Sequence, residues 1–172
     1  MKNKLKKIFT AEDISIKNKE LADMVNQKYK NKNLVVMGVM NGAFYFMSDL
    51  IKNITIDFQF DTIICSSYFG GRKSTGKVDY LHQGKVDLKD KDILIVEDIV
   101  DTGTTVKKII QEINKLSPHS IEVVSLFLRE KSKINYKILW HGYKLKNEFI
   151  VGYGLDYEED YRNLKDVYEL IH

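Results

Sequence analysis

Between Ile93 and Thr105 the chain reads ILIVEDIVDTGTT, thirteen residues whose types suit one piece of chemistry. Glu97 and Asp98 are adjacent carboxylates, able to accept from sugar hydroxyls or to hold a hard cation such as Mg²⁺. Asp101-Thr102-Gly103-Thr104-Thr105 comes next and leads into a helix-periodic run. Such a loop offers unpaired backbone N–H groups, hydroxyl donors and the positive end of a helix dipole, which together suit phosphate. A lone Asp-Thr-Gly is as often a helix cap or a turn. The full pattern says more, because partners for phosphate, ribose and metal stand side by side.

The elements that position these groups emerge from periodicity. Ile93 to Val96 is a short β-branched apolar run, as in a strand buried on both faces, and the carboxylates end it. Val106, Ile109, Ile110, Ile113 and Leu116 then mark a helix face, closed by Ser117-Pro118. Thr10-Ala11-Glu12-Asp13 reads as an N-cap for a helix reaching about Tyr29. Leu34 to Met40 is a second buried-type strand, followed by Asn41-Gly42 and a helix from Ala43 to Ile51. Further strands are predicted in Thr55–Tyr68, Val78–Leu81, Ile121–Leu128, Tyr136–Trp140, Phe149–Gly152 and Val167–Ile171. Strands alternating with helices give an α/β fold, a mainly parallel twisted sheet flanked by helices. In such sheets ligands bind beyond the carboxyl ends of the strands, where the acidic pair and the loop stand.

Composition narrows the class. With 172 residues, 44% hydrophobic and 30% charged, the chain is predicted to form a single globular domain. A net charge of +3 is too mild to argue for nucleic acid, and no stretch reaches membrane-spanning length. Lys2, Lys4, Lys6 and Lys7 read as a solvated, frayed terminus without the apolar run of a signal peptide. One cysteine, Cys65, excludes an intramolecular disulfide, and the four histidines lack metal-ligand spacing. A cytoplasmic enzyme is the expectation. Gly71 to Lys77 fits a P-loop up to its lysine, but Val78 stands where Ser or Thr should bind Mg²⁺ and VDYL continues as a strand, so a nucleotide triphosphatase is rejected.

The central motif, the SSYFGGRKSTGK loop and VGYGLDYEEDYR together resemble the type I phosphoribosyltransferases, in their hypoxanthine-guanine branch of bacterial type. The resemblance runs from about Leu34 to Tyr168. It implies a core of about residues 34–130 under a small hood from about 1–15 and 131–172. It also implies transfer of the 5-phosphoribosyl group of phosphoribosyl pyrophosphate (PRPP) to a 6-oxopurine, with Mg²⁺ and release of pyrophosphate. On that likeness Glu97 and Asp98 hold the ribose hydroxyls and Mg²⁺. Asp101, with a pKa tuned by partial burial, is the acid/base group at purine N7, and Asp101, Thr102, Gly103, Thr104 and Thr105 cradle the 5′-phosphate. Asn41, Gly42 and Arg162 bind pyrophosphate, and a non-proline cis peptide is expected at Met40-Asn41 or Asn41-Gly42. Ser67 and Tyr68 belong to a lid loop. Phe149 stacks on the purine, Ile150 meets its edge through the backbone, and Asp156 carries a second Mg²⁺.

Two departures stand out. Asn41 occupies a position where the family commonly has lysine, which leaves less positive charge for PRPP. The donor to the purine 6-oxo group aligns with Arg129, with Lys131 close by. Either is a pure donor that disfavours a 6-amino group. The alternatives are a xanthine-preferring enzyme and an RNA-binding regulator that keeps the PRPP motif. A homodimer or homotetramer is implied by the family.

Overall fold

The computed structural model of the chain describes residues 4–67, 78–81, 86–132 and 134–171. In order the elements are β1 (Lys4–Phe9), α1 (Ala11–Lys28), β2 (Leu34–Met40), α2 (Phe44–Lys52), β3 (Phe58–Ser67) and β4 (Val78–Leu81). They continue with β5 (Asp92–Val100), α3 (Thr104–Asn114), β6 (Ser120–Arg129), β7 (Ile138–Leu145), β8 (Ile150–Val151) and β9 (Val167–Ile171). One sheet has the order β4-β3-β2-β5-β6-β7. Its strands from β3 to β7 run parallel, and β4 is an antiparallel edge. Among the described residues no helix is long and apolar enough to cross a membrane.

The sheet is covered on both sides, so its central strands are apolar throughout and each side chain goes to one of two cores. Val36, Leu94, Val96, Val124 and Leu126 meet α1 and α2 through Leu21, Val25, Phe46 and Leu50. Val35, Met37, Ile93, Ile95 and Val123 pack with Val106, Ile109 and Ile113 of α3. From β2 the chain proceeds through α2 to β3 on one side, and from β5 through α3 to β6 on the other. The order therefore reverses between β2 and β5, and their carboxyl ends border the crevice where open α/β sheets bind ligands. The Asn41-Gly42 loop and the Asp101–Thr105 loop are its two walls.

Three expectations are corrected, two in the fold and one, the partial burial of Asp101, at the site. The acidic pair does not end β5; Glu97 and Asp98 lie inside a nine-residue strand that runs to Val100. The lysine-rich start, as far as it is described, is not frayed: Lys4–Phe9 pairs antiparallel with β9, and β9 with β8, in a separate three-stranded sheet. This is the hood. Lys7 reaches Asp166, whose carboxylate also accepts from the Ala11 amide at 2.8 Å, so strand, helix start and C-terminal segment close on one another. The α1 cap is as expected: Asp13 N donates to Thr10 Oγ1 at 3.1 Å and Thr10 N to Asp13 Oδ2 at 2.8 Å.

Candidate active site

The two-residue period of β5 separates its carboxylates. Glu97 continues the row of Ile93 and Ile95 toward α3 and lines a small concavity with Asp101, Thr102, Gly103, Thr104 and Thr105. Asp98 continues the row of Leu94 and Val96 toward α2, where Gly42 lies so close that a Cβ there would stand 2.2 Å from Asp98 Oδ2. Both carboxylates are over nine-tenths buried. Burial, with the charge of Asp98 next, pushes the Glu97 carboxyl well above its usual range. Burial raises Asp98 too, offset in part by the hydrogen bonds it accepts, including one from Ile99 N at 2.8 Å, and by Arg162.

Glu97 Oε2 is buried without a hydrogen-bond partner. An orphaned buried carboxylate oxygen is costly, and a divalent cation or a sugar hydroxyl would satisfy it. The described residues contain no group of three or more His, Cys, Asp or Glu able to hold a metal ion. Two carboxylates suit a cation such as Mg²⁺, which takes one or two of them and completes its shell with waters and phosphate oxygens. The donor set therefore fits a cation that arrives with a phosphate-bearing ligand.

The loop after β5 holds the Thr104 amide internally, donating to Thr102 Oγ1 at 3.4 Å, and is otherwise without a side-chain cap. Gly103, with φ +78°, is the N-cap of α3 and supplies no side-chain cap, and no carboxylate sits in the first turn. A Cβ at Gly103 would lie 2.4 Å from Ile134 Cγ2, so glycine is required by conformation and by space. Thr102 and Thr104 hydroxyls meet at 3.0 Å on the exposed side. Behind the loop, Ser132 Oγ donates to the Asp101 carbonyl and Tyr136 Oη to the Gly103 carbonyl at 3.3 Å. Sequence reasoning missed both supports, because nothing local marks a residue that braces a loop thirty positions earlier.

The remaining candidates fall in two groups. Asp101 is exposed, its side chain 63% accessible, and not partly buried as expected from the sequence. Arg129 Nε lies 3.4 Å from Asp101 Oδ1, and Arg129 Nη1 donates to the Glu148 carbonyl at 2.9 Å. Arg129 thus ties Asp101 to the turn before Phe149, which is half exposed and meets Tyr157 edge-on at 5.7 Å. Ile150 is buried, paired with Glu169 in the hood sheet, and Lys131 is exposed beyond β6. At the other wall Met40-Asn41 is the cis peptide. Arg162 donates to the Gly154 carbonyl at 2.8 Å and pairs with Asp156 at 2.9 Å and Glu159 at 3.0 Å. Asp156 and Arg162 therefore face each other in this structure. Ser67 ends β3, and Tyr68 lies outside the described residues, as does the rest of the expected lid to Lys77.

Comparison with known proteins places this geometry. The phosphoribosyl transferase domain family matches residues 4–158. A hypoxanthine-guanine phosphoribosyltransferase of Staphylococcus aureus (strain Mu50) is 42% identical over 166 residues, 95% of this chain and 93% of that one. A crystal structure of a Staphylococcus aureus hypoxanthine phosphoribosyltransferase superposes with TM-score 0.89 at 40% identity, covering 96% of this chain and 91% of that one. One of a Bacillus anthracis hypoxanthine-guanine phosphoribosyltransferase does so with TM-score 0.89 at 32% identity, over 98% and 100%.

Proposed function

The chain belongs to the phosphoribosyltransferase family, in its hypoxanthine-guanine branch, and on that premise we propose that it transfers the 5-phosphoribosyl group of PRPP to N9 of hypoxanthine or guanine. The products are IMP or GMP and pyrophosphate, and the role is purine salvage in the cytoplasm, carried out by a homodimer or homotetramer. The observation that carries the reading is the pairing of two buried carboxylates with an uncapped, hydroxyl-rich helix start at the β2/β5 switch point.

Each group then has a task. Thr102 to Thr105 and the Asp101 backbone receive the 5′-phosphate through amides and hydroxyls. Glu97 and Asp98 take the ribose hydroxyls and a Mg²⁺ ion, which when bound neutralises the departing pyrophosphate. As the C1′–O bond to pyrophosphate breaks, positive charge grows on the ribosyl carbon, and the buried carboxylates assigned to the ribose favour that charge. N9 of the purine donates its electron pair to C1′, and the N7 proton passes to the Asp101 carboxylate. Asn41, Gly42 and Arg162 hold the pyrophosphate, with Asp156 assigned a second Mg²⁺; the guanidinium fork suits phosphate oxygens. Phe149 stacks on the base, the Ile150 backbone meets its edge, and the segment from Ser67 to Tyr68 shields the centre from water. The test is formation of IMP from PRPP and hypoxanthine, present with Mg²⁺ and abolished by a chelator. Bound PRPP without nucleotide product would contradict it.

Arg129 is assigned the purine 6-oxo group. Its substitution by Ala removes that donor together with the ties to Asp101 and the Glu148 carbonyl. The KM for hypoxanthine should rise about tenfold or more, in line with loss of a charged hydrogen bond. Lys131→Ala should leave it within about twofold, typical of an exposed substitution. The reverse pattern in hypoxanthine kinetics would move the role to Lys131.

A further inference from the structure

We infer that Tyr153, fastened by Asp49 and Asn18, is a positioning residue for the pyrophosphate end of the site. The inference rests on the assignment of Gly42 and Arg162 to pyrophosphate. Tyr153 is buried, and its hydroxyl joins three elements. Asn18 Nδ2, on α1, donates to Tyr153 Oη at 3.0 Å, and Tyr153 Oη donates to Asp49 Oδ2, on α2, at 2.7 Å. Burial, then the bond to Asp49, keeps the phenol protonated and so a donor.

Tyr153 also has φ +52°, a left-handed conformation that tyrosine seldom adopts unless its surroundings hold it there. The next residue explains the placement. Gly154 approaches the Gly42 carbonyl so closely that a Cβ on it would lie 2.3 Å from that oxygen. The Gly154 amide donates to the Arg162 carbonyl at 3.0 Å, and its own carbonyl accepts from the Arg162 guanidinium at 2.8 Å. The helix that carries Asp49 begins two residues after Gly42. Tyr153 therefore pins the loop bearing Asp156 and Arg162 to the helix that leads from the Asn41-Gly42 loop, and sets the spacing of the two pyrophosphate walls. An apolar side chain would fill the same volume without fixing that spacing; the Tyr45 ring, 5.9 Å from that of Tyr153, supplies packing either way.

Tyr153→Phe removes the hydroxyl and keeps the ring. PRPP affinity, measured by calorimetry with Mg²⁺, should fall about tenfold, the scale of a hydrogen bond to a charged group. The KM for hypoxanthine should stay within about twofold, since its assigned partners lie on the Arg129 side. In an Arg162→Ala background the further loss on adding Tyr153→Phe should shrink to under about twofold, because the two act as a unit. An unchanged PRPP affinity, a parallel rise in both substrates' constants, or a full tenfold loss in the Arg162→Ala background would each overturn the inference. If Tyr153→Phe does not fold, Asp49→Asn keeps the shape with a weaker neutral bond, and a loss of about threefold confined to PRPP is required of it. A wild type that binds PRPP but forms no nucleotide would count against the enzymatic reading alone, and the positioning role would then be judged on PRPP affinity.

Discussion

Asp101→Asn is expected to lower turnover by about 10²- to 10⁴-fold, the usual contribution of a positioned acid/base group, while leaving the fold intact. The carboxylate is 63% exposed and takes no part in either hydrophobic core, so the change in stability should stay within about 0.5 kcal/mol. Its backbone carbonyl, which accepts from Ser132, is untouched by the substitution. Asn retains the size and an acceptor for Arg129 but cannot take the N7 proton. Turnover with saturating PRPP and hypoxanthine, read beside the melting temperature, decides the matter. An Asn variant that turns over at the wild-type rate removes Asp101 from acid/base duty.

Gly42→Ala is expected to cost on the order of a hundredfold in kcat/KM for PRPP, the scale of misplacing a site by about an ångström. The new Cβ would stand 2.2 Å from Asp98 Oδ2 and 2.8 Å from its Cγ. Asp98 has little room to yield, being 7% exposed and bound to the Ile99 amide through its other oxygen. Retreat of the loop is opposed by Gly154, which presses on the Gly42 carbonyl from the hood side. One methyl group thus disturbs together the carboxylate assigned to ribose and metal and the loop assigned to pyrophosphate. Overpacking of this kind should also remove about 1–3 kcal/mol of stability. Denaturant unfolding and PRPP kinetics on one preparation check both, and kcat/KM within about threefold of wild type would show that the contact is not what shapes the site.

Much of the arrangement is legible in the sequence, for reasons particular to each element. Leu34–Met40 and Val167–Ile171 emerge with the predicted bounds, as clear apolar runs between turn residues. β5 is longer than it reads, because Glu97 and Asp98 look like a polar stop although they keep the strand's alternation toward its carboxyl end. β1 escapes detection because four of the first seven residues are lysines and its partner, β9, lies some 160 residues away. The pairing of Asp101 with Arg129 is different. Parallel register sets Val100 opposite Leu128, so Asp101, just past the end of β5, falls near Arg129 at the end of β6, and the match of β5 to β6 contains that signal. The supports from Ser132 and Tyr136 and the anchor at Tyr153 depend on contacts between distant segments, and no local periodicity reports them.

The most direct test of the enzymatic reading is pyrophosphate release from PRPP and Mg²⁺ with hypoxanthine, guanine, xanthine, adenine and uracil side by side. Release with hypoxanthine and guanine, and none with adenine or uracil, is the predicted result; adenine is disfavoured because Arg129, assigned to the purine 6-position, offers only donors. Release with xanthine in preference to both would shift the assignment to a xanthine enzyme of the same family. Silence with every base, in a protein that binds PRPP, would contradict the account and turn attention to RNA binding.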